Sequence, residues 1–178
     1  MWSTILKYGV IAGVVVGGFM LITFAVFSGM PPLKYGMLIG YTTMLIALSA
    51  VFVGIKRHRD VERGGVIGFW PAFGVGLGIS FIASLFYVVA WELVQAMSDM
   101  DFATSYSNAI LAKEKAAGAS AEALAKMAAE FETFKVQYAD PMFRLPMTFV
   151  EIFPVGVLVS LVSAGLLRFP GFLSARRS

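Results

Sequence analysis

The chain has no cysteine, a single histidine, and few charges: only 14% of its 178 residues are Asp, Glu, Lys or Arg. Each scarcity excludes something. Without cysteine there is no disulfide framework, no thiolate metal site and no cysteine nucleophile. The one histidine, His58, sits in a basic run, so neither a two-histidine metal site nor a Ser-His-Asp set can be assembled. A soluble domain carries about 25% charged residues. This chain carries far fewer, and 58% of it is hydrophobic, which would give a soluble monomer large exposed apolar patches. Gly64–Gly68 lacks the GK[ST] ending of a phosphate loop and reads as a turn.

What is present is long uncharged runs. A spanning helix needs roughly 20 apolar residues to cross about 30 Å of hydrocarbon. There are 26 uncharged residues between Lys7 and Lys34, 21 between Lys34 and Lys56, and 28 between Arg63 and Glu92. A fourth run lies between Glu151 and Arg168. The alternation expected of barrel strands is absent, so the fold class is all-α: a four-helix transmembrane bundle. The spans predicted are about 5–27, 36–55, 69–96 and 147–167, in one integral membrane domain covering 1–178. Pro31-Pro32 breaks the chain after the first span. Pro71 suits a first helical turn, and Pro154 removes an N–H inside the fourth helix. The first span is longer than a signal-peptide core and no small-x-small site follows it, so it reads as retained.

Basic residues set the orientation. Lys56, Arg57, Arg59 and Arg63 cluster in the second loop, and Lys7, Arg168, Arg176 and Arg177 fall on the same side. That side carries a net charge near +6 and the other a net charge near −1, which places both termini in the cytoplasm. The basic loop reads as a lipid-facing, orienting patch, with no aromatic interleaving to suggest nucleic acid.

Residues 98–146 form the only long polar stretch, expected to be an extracytoplasmic helical hairpin between the third and fourth spans. Gly118 suits a helix stop and Ser120 a cap. Leu124, Met127, Phe131, Phe134 and Tyr138 then make a stripe at steps of three and four, which serves either the hairpin's own packing or a partner. Small residues mark close helix contacts in lipid. Gly9, Gly13 and Gly17 form one ridge, Gly76 belongs to a second and Gly156 to a third. They serve intramolecular packing or, at the Gly9 ridge, dimerisation.

An ionisable side chain within a span is costly and marks a functional hypothesis. Glu92 and Glu151 lie at similar depth in the outer leaflet, with Arg144, Lys34, Trp91, Tyr87 and Tyr41 near that level. Two acids sharing a proton, or one acid held by Arg144, are both open. So is a bond from Glu151 to a backbone group freed by Pro154, with Glu92 merely reaching to the interface.

Several segments carry a family resemblance. They are Leu48 through Asp60, Gly64 to Phe69 with Ala72, Phe73 and Gly76, Asp140 to Arg144, and Phe149 to Gly156. Together they resemble the family called domain of unknown function 4199. The resemblance implies a four-helix protein of the bacterial inner membrane with no established activity. It marks Phe143, Arg144, Glu151 and Pro154 as pattern positions, and departs from the pattern at His58, where an aromatic is expected. The functional expectation is a non-catalytic protein needing no cofactor or metal. It would be an accessory or interaction subunit, partnered by lipids and by another membrane protein or itself. A small transporter using the carboxylates is the alternative.

Overall fold

The computed structural model describes residues 1–27, 33–97 and 101–173. Pro31 and Pro32 lie outside these residues, as do Arg176, Arg177 and the side chain of Lys34. Six helices are described and no strand is found among the described residues. Four are long and apolar enough to cross a membrane: α1 (Trp2–Phe27), α2 (Leu33–Arg57), α3 (Phe69–Met97) and α6 (Pro141–Leu167). Between the last two lie α4 (Phe102–Ala116) and α5 (Ala121–Ala139).

The ends of these helices follow local chemistry. A π-helical turn over His58–Glu62 prolongs α2, so most of the expected basic loop is helical. Gly64 and Gly65 then turn the chain with φ of +65° and +92°, values that strain residues with a Cβ. At the far end, Asp101 accepts from the Thr104 amide and starts α4. Gly118, at φ +87°, stops α4, and the Ser120 hydroxyl oxygen accepts from Ala123 N to cap α5. Helix α6 starts at 141, six residues before the expected 147. The Asp140 carboxylate accepts from Met142 N at 2.9 Å, and Pro141 fills the first helical position, where its missing N–H costs nothing. The helix then continues through Pro146 and Pro154.

Helix α3 is central, packed on α1 along one face and on α6 along another, with α2 bridging all three. The spacing is set by glycine and serine. A Cβ on Gly76 would lie 2.8 Å from the Ser160 side chain, and one on Gly156 2.6 Å from Ser80. The two serine hydroxyls meet at 3.2 Å across this α3–α6 contact. On the other face, Gly9 sits against Ile82, Gly13 against Phe86 and Gly17 against Ala90. The Gly9 ridge is thus occupied by α3 of the same chain and is not open to a second copy. The stripe on α5 is likewise used internally, where Phe131 meets Tyr106 and Tyr138 meets Phe102.

Candidate functional site

The three ionisable groups predicted for the outer leaflet do come from neighbouring helices, but they divide unequally. Glu92 stands near the end of α3, and Arg144 in the first turns of α6. The Arg144 guanidinium donates from Nε to Glu92 Oε1 and from Nη2 to Oε2, both at 2.7 Å. This is a two-point fork, the stronger class of ion pair. Its Nη1 also donates to the Tyr138 carbonyl at 3.1 Å. One side chain therefore joins α3, α5 and α6.

Glu151, seven residues further along α6, takes no part in this. No lysine, arginine or histidine pairs with it among the described residues. Tyr87 stands beside it on the wall of the same recess instead. A shared proton between Glu92 and Glu151 is excluded by this arrangement, because Arg144 holds both oxygens of Glu92. Nor does Arg144 pair with Glu151.

Glu151 faces a recess of about 510 Å³ between the hairpin and the bundle. Tyr87 and Trp91 of α3 form one wall, Phe102 and Tyr106 of α4 another, and Phe131, Phe134 and Tyr138 of α5 a third. The Trp91 indole N–H donates to Tyr138 Oη at 2.7 Å, and Trp91 meets the edge of Phe102 at 4.8 Å. Burial pushes the Tyr138 hydroxyl up to about 12, so it stays protonated near neutrality. A second recess of about 170 Å³ opens between α1 and α2. Tyr87, Trp91 and Glu151 line both, so these three side chains form the partition between the two.

Two things escape sequence reasoning here. One is which acid the arginine takes. The other is the aromatic wall, whose only signal was five rings, Phe102, Tyr106, Phe131, Phe134 and Tyr138, in an otherwise polar segment.

The basic patch needs a larger correction. Arg59, expected to face lipid headgroups, has no exposed surface. Its guanidinium donates to the carbonyls of Phe172 at 2.9 Å and Leu173 at 2.8 Å, and its Nε to Asp60 at 2.6 Å. The π turn brings Arg59 inward, where the end of α6 and the residues after it supply free carbonyls. Lys56 is tied to Asp60, while Arg57 and Arg63 stay on the surface. Beside them, Glu62 accepts from the Met1 amino group and from Thr4, and His58 Nδ1 lies 2.9 Å from it. Met1 and the Phe172–Leu173 backbone are therefore fixed at one end of the bundle.

A family model described as "Protein of unknown function (DUF4199)" matches residues 7–168. The chain belongs to this family. No curated protein and no solved structure matches it. The match runs from α1 to the residue after α6 and so takes in the hairpin and the recess as well as the spans.

Proposed function

We propose that the chain is a non-catalytic membrane protein that binds a small ligand in the recess floored by Glu151. One observation carries this reading: a carboxylate within a membrane span has no basic partner among the described residues and faces a cavity. Glu151 is exposed on the helix surface, and holding such a group at membrane depth without a counter-charge is costly, so a ligand that supplied one would offset the cost. Binding is favoured over conduction by the packing beyond it. Leu48, Val51, Ile55 and Ile79 are fully buried and fill the bundle on the side of Met1 and the residues after α6. Docking to a larger complex, the other expectation, would use surfaces other than the Gly9 ridge, which α3 of the same chain occupies.

The orientation follows from charge. The end with Met1 and the residues after α6 carries Lys56, Arg57, Arg59 and Arg63. The positive-inside rule puts that end in the cytoplasm and the hairpin and recess outside, in the inner membrane of a bacterium.

The test is native mass spectrometry of the full chain released from membranes, wild type against Glu151→Gln. The wild type is expected to carry a small-molecule adduct that the variant lacks at unchanged thermal stability. An adduct retained by the variant, or none in either, overturns the reading.

A further inference from the structure

We infer that the recess at Glu151 binds an alkylammonium group, either on a free solute or on a lipid headgroup. This rests on the reading of that recess as a ligand site and adds the ligand's chemical class.

Charge gives the first argument. The lining includes two carboxylates, Glu130 and Glu151, and no lysine, arginine or histidine among the described residues. The nearest guanidinium, Arg144, is neutralised by its fork to Glu92. A cation is thus the only charged ligand the recess favours.

The walls say which kind of cation. Seven of the eleven lining residues are aromatic. Ring faces attract a positive charge through their quadrupole, and they suit a bulky, weakly hydrated ammonium better than a small metal ion. A metal ion needs several oxygen or nitrogen ligands at once. No group of three His, Cys, Asp or Glu is assembled among the described residues. The wall already accommodates one cation on its outer side, where the Arg144 guanidinium lies 5.8 Å from the centre of the Tyr138 ring.

Size is consistent with this. The volume of about 510 Å³ lies within the range of small-ligand sites and leaves room for substituents beyond the ammonium. The second recess, between α1 and α2, meets the first at Tyr87, Trp91 and Glu151, so the same carboxylate is reachable from the side of the bundle as well. That gives a lipid headgroup a route in alongside a free solute.

The experiment is a calorimetric titration of the full chain in maltoside detergent with choline. The control ligand is its uncharged analogue, with carbon in place of the quaternary nitrogen. Choline is expected to bind about tenfold more tightly than the analogue, the size of a desolvated cation–π and charge contribution. Glu151→Gln is expected to remove that preference while leaving analogue binding unchanged. Phe131→Leu, a change in the wall that keeps an apolar side chain against Tyr106, should weaken choline severalfold while leaving analogue binding unchanged. Equal binding of both ligands overturns the cation assignment but leaves a ligand recess standing. Binding of neither overturns both. Displacement of choline by phosphatidylcholine but not by phosphatidylglycerol identifies a headgroup as the source, and no displacement by either identifies a free solute. Equal displacement by both lipids overturns the assignment, since phosphatidylglycerol has no ammonium.

Discussion

At the end that carries Met1 and the residues after α6, Arg59 is fully buried and spends most of its donors on backbone carbonyls that α6 and those residues leave free. At the hairpin end, Arg144 spends its donors on a carboxylate from another helix and keeps some exposure. The difference in partner makes the difference in chemistry. Arg59 closes its end: the π turn, the end of α6 and the residues after it are pinned to one side chain. Arg144 instead removes one of two acids from play and leaves the other alone beside a cavity. Identical side chains thus give a sealed end and an open one.

The largest effect is expected at the sealed end. Arg59→Met leaves the Phe172 and Leu173 carbonyls without a donor and Asp60 with Lys56 alone. Breaking one partner of a buried charged cluster typically costs about 3–5 kcal/mol. Unfolding by titration with a denaturing detergent reads this directly. A cost below that of losing the Arg144 fork would break the contrast between the two ends.

Next comes the close contact that makes the sealed half dense. Gly156→Val drives a side chain into Ser80, where even a Cβ would lie 2.6 Å away. Overpacking of this kind costs typically about 1–3 kcal/mol. Gly18→Ala is the control, since a Cβ there meets nothing within 4 Å. Equal stability of the two variants would show that the α3–α6 spacing is softer than the Gly–Ser pairs indicate.

The spans, the glycine ridges, Gly118, Ser120 and the helical hairpin were all legible in the sequence. Each depends on local periodicity or on a residue with one strong conformational preference. Three things were not. The start of α6 was hidden because a span counted from uncharged residues stops at Arg144, whereas a paired arginine is tolerated within the helix. The burial of Arg59 depends on a π turn, which no residue pattern announced. The choice of Glu92 over Glu151 depends on how α3 and α6 are rotated about their axes. Depth in the membrane, all that sequence position supplies, is nearly the same for both acids. The cavity is a further step removed, because a stripe of aromatic residues looks alike whether its rings fill a space or line one.

The Glu92–Arg144 fork sharpens the comparison at the open end. A double-mutant cycle with Glu92→Gln and Arg144→Met is expected to give a coupling of about 1.5–3 kcal/mol, as for hydrogen bonds to charged groups. Glu92→Gln alone also frees a guanidinium about two helical turns from Glu151 on α6, and so should weaken binding of a cation in the recess. A coupling near zero would mean that the open end is held by aromatic packing rather than by this pair.

The smallest effect is expected at the start of α4, in the hairpin itself. Asp101 is held below the ordinary carboxylate range first by the Thr104 hydroxyl and then by the Thr104 amide, both of which favour its charged form. A depressed folded value means that its stabilisation is present above the ordinary range and lost as pH falls through the lower, folded value. Asp101→Ala should therefore cost about 1 kcal/mol of local stability near neutrality, as for other helix caps. Wild type and variant should converge in acid. Hydrogen exchange of the α4 amides measures this, with the α3 amides as an internal reference. Protection lost from α4 alone would show the hairpin opening as a unit separate from the bundle, as a ligand reaching the recess from that side requires. Protection lost equally from α3 would mean that the two ends of the molecule differ in chemistry but not in mobility.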